Sequence, residues 1–92
     1  MKCLITEKID EKGINLLKEN EFVVDIAYDK NREEVEEIIG EYDVLLVRAE
    51  TQVDRELIDL GKNLKVIGMA GIGLNHIDVN YAKSKNIKVL NR

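Results

Sequence analysis

Short runs of apolar residues alternate along the chain with segments in which apolar residues recur every three to four positions. The short runs predict buried strands, and the periodic segments predict amphipathic helices. The predicted strands span residues 3–5, 22–27, 43–47, 64–67 and 87–90. Strands that alternate with helices are typical of βαβ units, in which the strands run parallel. With right-handed crossovers, the simplest arrangement is an α/β fold with a flavodoxin-like, doubly wound sheet in the order 2-1-3-4-5 and helices on both faces.

Residues that begin helices precede each helical pattern. Asp10 is a predicted N-cap, with Ile9 and Ile14 placed for a hydrophobic staple. The other predicted starts are Asn31 with Glu34 as a capping box, Thr51 with Asp54, and Asn75 with Asp78. Gly61 is predicted to end the third helix in the left-handed conformation. These caps place four helices between the five strands.

Composition narrows the class of protein. The 92 residues make one domain at most, spanning 1–92. A formal net charge of −4 argues against a nucleic-acid partner, because binding phosphates needs a basic face. The apolar runs are shorter than the roughly 20 residues of a membrane span, and the start of the chain lacks the apolar core of a signal peptide. The single cysteine, Cys3, fits a buried thiol in a reducing cytoplasm. We therefore expect a cytoplasmic protein with neither a nucleic-acid nor a membrane partner.

The ligands of doubly wound sheets gather at the carboxyl ends of the strands. The residues predicted to meet there are Thr6, Arg48, Ala49, Glu50 and the loop 68–75. Glycines in that loop permit positive φ and let backbone N–H groups approach an anion closely. The alternative is a tight strand-to-helix turn that needs only small residues. The loop is not a Rossmann fingerprint, because the G-x-G-x-x-G spacing that starts at Gly71 ends on His76.

Few other side chains suggest chemistry. Arg48 could bind a carboxylate or phosphate in bidentate fashion, or it could form a salt bridge with Glu50 or another surface acid. His76 is the only histidine, and it has no nucleophile beside it in the sequence. A structural or surface role is therefore favoured for His76 over catalysis. No cluster of Cys and His offers a metal site.

Two segments carry a resemblance to a known family. The segment LLVRAETQVDRELID resembles the pattern V-R-S-x-T-x-V, and LKVIGMAGIGLNHIDVNYAKSKNIKVLN resembles L-K-V-I-G-R-A-G-x-G-x-D-N-I-D-x-x-A-A-x-x-x-G-I-x-V-x-N. Both patterns belong to NAD-dependent D-2-hydroxyacid dehydrogenases, the phosphoglycerate dehydrogenase branch in particular. The resemblance covers the whole chain.

The resemblance implies a substrate-binding domain of an enzyme that transfers a hydride between NAD and a small anionic 2-hydroxyacid. Arg48 would help to bind the anionic end of the substrate. The backbone amides expected to hold its carboxylate are those of Ala70, Gly71, Ile72 and Gly73. Asn91 matches an asparagine at the interdomain hinge, where the family's chain crosses to its NAD-binding domain. The family's catalytic residues and dinucleotide fingerprint would lie beyond Arg92. No catalytic, cofactor-binding or metal-binding residue is therefore assigned within this chain.

Several positions depart from the family pattern. Met69 stands where phosphoglycerate dehydrogenases usually carry an arginine for the substrate phosphate, which leaves other 2-hydroxyacids open. The remaining departures are Ala49 for serine, Asn75-His76 for Asp-Asn, and Asn86 for a glycine that ends a helix. Because asparagine tolerates the left-handed conformation, the change at Asn86 should be mild.

The leading hypothesis is a substrate-binding domain, cut before the NAD domain, that folds but does not catalyse alone. In the family, a C-terminal helix returns to pack on this domain. Its absence predicts an exposed apolar patch, and hence a homodimer or strand exchange. The alternatives are a stand-alone flavodoxin-like binding or scaffold module without catalysis, and a minimal fold with no function of its own.

Overall fold

The computed structural model of the protein describes residues 1–71 and 73–91, the last of them by its backbone alone. The elements in chain order are β1 (Lys2–Ile5), α1 (Glu11–Glu19), β2 (Val23–Ile26), α2 (Arg32–Ile38), a 3-10 turn (Ile39–Glu41), β3 (Val44–Val47), α3 (Arg55–Leu60), β4 (Val66–Met69), α4 (Val79–Ser84) and β5 (Lys88–Asn91). The strands form one parallel sheet in the order β2-β1-β3-β4-β5. The predicted fold class and strand order are confirmed.

Each helix begins at a carboxylate or amide side chain that accepts a backbone N–H. Asp10 accepts from Lys12, and the capping box of Asn31 with Glu34 forms both of its hydrogen bonds. In α3 and α4 the caps are Asp54 and Asp78, which accept from the N–H groups of Leu57 and Tyr81. These side chains accept hydrogen bonds from N–H groups that have no partner inside the helix. Because a cap and its partner are close in the sequence, the helix starts could be predicted from the sequence.

Three predicted caps are wrong in detail. Among the described residues Asn75 makes no capping hydrogen bond, and α4 is capped by Asp78 alone. Thr51 does not cap α3, because its hydroxyl is hydrogen-bonded to that of Thr6 at 2.9 Å. Gly61 ends α3 with a φ of −79° and is not in the left-handed region. Glycine is needed there for space, since a Cβ at Gly61 would lie 2.8 Å from Cγ of Leu64. β4 begins at Val66, two residues later than predicted, and leaves Leu64 in the loop.

The core has two parts, one on each face of the sheet. The larger part contains Leu4, Leu45 and Ile67 of the strands, and α2, α3 and α4 supply residues such as Leu57 and Ala82. The smaller part consists of Cys3, Ile5, Ile14 and Val44, and Leu46 and Val66 pack against it. Helices therefore cover both faces, as predicted, but α1 is the one described helix on the second face.

A groove lies beside α1 on this thinly covered face. Leu46, Val66 and Gly68 form its floor, and Leu16 of α1 and Leu90 of β5 lie along its sides. Its volume is about 500 Å³. Leu16 and Leu90 are 56% and 54% exposed, so apolar side chains meet water there. Exposed apolar surface, of the kind that the family resemblance led us to expect, is therefore present here, and we call it the α1 groove.

Candidate functional site

The carboxyl ends of the three central strands meet at one edge of the sheet. Val47 of β3 pairs with Met69 of β4, and Ile5 of β1 pairs with Leu46 of β3. The residues that follow these strands therefore lie side by side at the edge. They are Thr6 and Glu7 after β1, the segment 48–51 after β3, and the loop that starts at Ala70 after β4.

The glycine loop adopts conformations that other residues rarely take. Gly71 has a φ of 136° and Gly73 a φ of 87°, and both residues are exposed. A Cβ at Gly73 would meet no atom within 4 Å, so open space lies in front of this residue. Within the described ranges, neither N–H group donates to a backbone carbonyl. Ile72, which the resemblance also implicated, lies outside the described residues.

The amide of Ala70 is not available to a ligand, contrary to what the resemblance implied. Its N–H group donates to the carbonyl oxygen of Val47 at 3.0 Å, continuing the β3–β4 ladder one step past the end of β4. This donor is therefore engaged with the sheet and does not face a ligand. Gly71 and Gly73 remain as candidate donors.

Arg48 is exposed at the same edge, with its guanidinium beside the loop that follows β1. Its Nη1 donates to the carbonyl oxygen of Lys8 at 3.3 Å. Among the residues that the structure describes, Arg48 forms no ion pair with Glu50 or with another acid. The salt bridge that the sequence allowed is not formed, and the guanidinium keeps donors available at the open edge.

Glu7 binds the backbone of the segment that follows β3, a role that was not predicted from the sequence. Its carboxylate accepts the N–H of Arg48 at 2.7 Å and the N–H groups of Glu50 and Thr51, each at 3.0 Å. Partial burial alone would raise the pKa of Glu7. Hydrogen bonds from the Thr51 side chain and from the three amides outweigh it and lower the pKa below its ordinary value. The available signal was its position just after β1, beside β3 at the switch point of the sheet.

A second, more polar cleft of about 360 Å³ opens between Thr6, Thr51 and the start of α2. Arg32 lies in its wall, where it contacts Glu36 at 2.8 Å and Asp54 at 2.7 Å and also donates to the carbonyl of Gln52. These contacts neutralise its charge and join α2 to the start of α3. Arg32 therefore serves packing in this arrangement.

The remaining candidates for chemistry take structural positions. His76 accepts the N–H of Val53 through its backbone carbonyl at 2.8 Å, and its buried Nε2 has no partner among the described residues. Burial raises the pKa of the Cys3 thiol to about 12, so Cys3 remains an uncharged thiol at neutral pH. In the described part of the chain, no three residues of the types His, Cys, Asp and Glu are grouped to hold a metal ion. No described helix has the length and apolar character needed to cross a bilayer.

The glycine loop does not fit the pyrophosphate of a dinucleotide. Such a site needs glycines that lead directly into a free helix N-terminus. Here a turn and the bridge between Val53 and Ile77 separate Gly73 from α4. The carboxylate of Asp78 already occupies the start of α4, accepting the N–H of Tyr81 at 3.1 Å. The loop can present N–H groups to a small anion, but the described residues do not form a binding site for NAD.

Comparison with known sequences identifies the family of this chain. The family model for the catalytic domain of D-isomer specific 2-hydroxyacid dehydrogenases matches residues 3–92. The chain is 40% identical over 91 residues to the D-3-phosphoglycerate dehydrogenase of Archaeoglobus fulgidus, and 44% identical over 87 residues to the hydroxypyruvate reductase of Thermotoga maritima. These alignments cover 99% and 95% of this chain, but only 17% and 28% of the two relatives.

Solved structures give the same result. The PH0520 protein of Pyrococcus horikoshii OT3 superposes with a TM-score of 0.91 at 27% identity, over 99% of this chain and 27% of that one. The 3-phosphoglycerate dehydrogenase of Entamoeba histolytica, solved with NAD+ bound, superposes with a TM-score of 0.78 at 28% identity. That match covers 99% of this chain and 32% of the other. The chain therefore corresponds to less than a third of each of these proteins.

Proposed function

The chain belongs to the family of D-isomer specific 2-hydroxyacid dehydrogenases, and on that premise we propose that it is the substrate-binding domain of such an enzyme. The whole enzyme transfers a hydride between NAD and a 2-hydroxyacid. The part proposed for this chain is to bind the carboxylate of that substrate. The family membership supports a 2-hydroxyacid as the substrate, and the glycine loop supports the sheet edge as the place where its carboxylate binds.

The observation that carries the proposal is an open pair of glycines in the loop after β4, together with an exposed arginine after the neighbouring strand β3. Gly71 and Gly73 have positive φ, and Arg48 follows β3 at the level where the loop follows β4. A carboxylate offers two oxygens that can accept from amides and from a guanidinium at once. Charge-assisted hydrogen bonds of this kind contribute roughly 1.5–3 kcal/mol each. Together they would fix the acid end of the substrate at the sheet edge.

The substrate favoured is a 2-hydroxyacid without a phosphate group. Met69 lies where phosphoglycerate dehydrogenases usually carry a phosphate-binding arginine, and its side chain is 3% exposed within the larger core. An apolar, buried thioether contributes no charge to neutralise a phosphate. The similarity to a hydroxypyruvate reductase at 44% identity is compatible with a small, unphosphorylated substrate.

Residues outside the described part of this chain would bind NAD and would supply the reacting groups. The misfit of the glycine loop to a pyrophosphate supports this division of labour. The relatives are several times longer than this chain, which leaves room in them for a dinucleotide-binding domain. We assign Asn91, at the end of β5, to the hinge between the two domains. No residue of this chain is proposed to be catalytic, and the chain alone is expected to be inactive.

The α1 groove is the second part of the proposal. Apolar surface of this kind is normally covered in a working protein. For this chain in isolation we propose that a second copy covers it, giving a homodimer. Leu16 and Leu90, which both line the groove and are more than half exposed, are apolar surface that a second copy would cover.

The carboxylate proposal is tested by titrating the chain with glycolate while following the amide resonances of Gly71 and Gly73 by NMR. Glycolamide, which keeps the hydroxyl and lacks the charge, is the matched control ligand. We expect saturable shifts with millimolar glycolate, none with glycolamide, and binding weakened about tenfold or more in Arg48→Gln. Amides that stay unmoved by glycolate would contradict the proposal and favour a fold without this site.

A further inference from the structure

We infer that Glu7 is the positioning residue for Arg48, holding the loop that carries this guanidinium at the sheet edge. The inference rests on the proposed function, because Arg48 matters for binding only if a carboxylate is the ligand. It goes further by assigning a role to a residue that would touch neither substrate nor cofactor.

The first support is the number of donors that converge on one carboxylate. Oε2 of Glu7 accepts from the N–H of Arg48 at 2.7 Å and of Thr51 at 3.0 Å, and Oε1 accepts from the N–H of Glu50 at 3.0 Å. Successive N–H groups that point into one concavity form an anion site. Here the anion is a side chain of the protein itself, bound more than 40 residues away in sequence.

The second support is that the same short segment also holds the side chain of Arg48. The guanidinium donates to the carbonyl of Lys8, the residue after Glu7. The segment itself is fixed, because the N–H of Thr6 donates to the carbonyl of Leu46 at 3.2 Å. The backbone and the side chain of Arg48 are thus both tied to one short stretch after β1.

The chemistry of a carboxylate suits this task better than that of its amide analogue. Both oxygens of Glu7 accept hydrogen bonds, whereas a glutamine offers one acceptor oxygen and an NH2 group. At position 7 that NH2 group would face an N–H donor, so at least one hydrogen bond would be lost and the loop would loosen. Arg48 would then sample more orientations, and part of the binding free energy would be spent on ordering it.

The experiment begins with amide hydrogen exchange, which needs no ligand. In Glu7→Gln we expect the amides of Arg48, Glu50 and Thr51 to exchange at least about tenfold faster than in the original chain. The amide of Ala70, which donates to Val47, should keep its rate. Glu37→Gln is the matched control, since Glu37 is exposed on α2 and its removal takes away the same charge. Unchanged exchange at the three amides in Glu7→Gln would overturn the inference.

The link to Arg48 is tested by a double-mutant cycle with glycolate as the probe. We expect Glu7→Gln to weaken glycolate binding about fivefold to tenfold, and to have little further effect in the Arg48→Gln background. An equal effect in both backgrounds, or no effect in either, would show that Glu7 only stabilises the fold and would overturn the inference. If Glu7→Gln does not fold, Glu7→Asp keeps the charge with a shorter reach and enters the same cycle.

The two proposals fail differently. If the original chain does not bind glycolate at all, the proposed function fails, and the exchange rates still decide whether Glu7 fixes the loop. If glycolate binds and the cycle shows no coupling, the proposed function stands and the role of Glu7 falls.

Discussion

The phenol of Tyr42 donates a 2.6 Å hydrogen bond to Oδ2 of Asp25, tying the segment after the 3-10 turn to the edge strand β2. The ring itself is 5% exposed and belongs to the larger core. We predict that Tyr42→Phe lowers the free energy of unfolding by about 1–2 kcal/mol, because Asp25 loses a donor in a partly buried place. Urea unfolding followed by circular dichroism measures this change. Tyr28→Phe, which removes an exposed phenol that accepts a long, 3.3 Å hydrogen bond from the N–H of Ile9, should change stability by less than about 0.5 kcal/mol.

The same hydrogen bond predicts a dependence on alkaline pH. Burial of the ring, and next the bond to Asp25, raise the pKa of Tyr42 above its ordinary value. The folded state then holds this proton more tightly than the unfolded state, whose phenols titrate near about 10. The stabilisation is complete below that pH and is lost as the pH rises above it. The original chain should therefore lose stability above about pH 10 more steeply than Tyr42→Phe. Parallel curves for the two proteins would contradict the prediction.

Glu7 predicts a dependence at acidic pH with the opposite sign. Partial burial would raise its pKa, but hydrogen bonds from Thr51 and the loop amides lower the pKa overall. Its stabilisation is present above the unfolded value of about 4.3 and is lost as the pH falls through the lower folded value. Glu7→Gln should therefore lose less stability than the original chain between about pH 4.5 and pH 3. Glu37→Gln serves as the control, and it should follow the original chain over this range.

The sequence predicted the fold well because the decisive signals are local. The alternation of strands and helices, with right-handed crossovers, leaves few arrangements, and the observed order is the simplest of them. The caps at Asp10, Asn31 and Asp78 depend on neighbours within three residues along the chain. The part of Glu7 could not be read in this way, because its partners follow a different strand. The left-handed conformation predicted for Gly61 was wrong because glycine is needed there for space beside the side chain of Leu64, which the sequence pattern of a helix end does not show.

The two glycines outside the site that differ most in surroundings give opposite predictions. Gly61→Ala should lower the free energy of unfolding by about 1–3 kcal/mol, because its Cβ would overlap the buried side chain of Leu64. Gly13→Ala should raise it by about 0.4–1 kcal/mol, since Gly13 lies inside α1 and its Cβ would meet only Cδ1 of Ile9 at 3.8 Å. Thermal or urea unfolding measures both. A free energy of unfolding that is unchanged or raised in Gly61→Ala would contradict the explanation given for Gly61.

At Gly73 in the glycine loop, the effect of backbone conformation can be tested without an effect of steric overlap. An added Cβ meets no atom, but a φ of 87° costs another residue about 1–2 kcal/mol. We predict that Gly73→Ala destabilises the chain by about that amount or relaxes the loop, and that it weakens glycolate binding in either case. Gly13→Ala adds the same methyl group away from the loop and should leave glycolate binding unchanged. Undiminished binding in Gly73→Ala would exclude its amide from the carboxylate site.

The α1 groove predicts self-association that a single exposed residue can prevent. Leu16 is 56% exposed on the side of the groove, so Leu16→Glu places a charge on the surface proposed to meet a second copy. Burying an unpaired carboxylate is unfavourable, and we expect this variant to sediment as a monomer at concentrations where the original chain associates. Asn15→Glu is the matched control, because Asn15 is exposed on the same helix and does not line the groove. An original chain that stays monomeric at high concentration, or equal effects of the two variants, would exclude the groove as a homodimer interface.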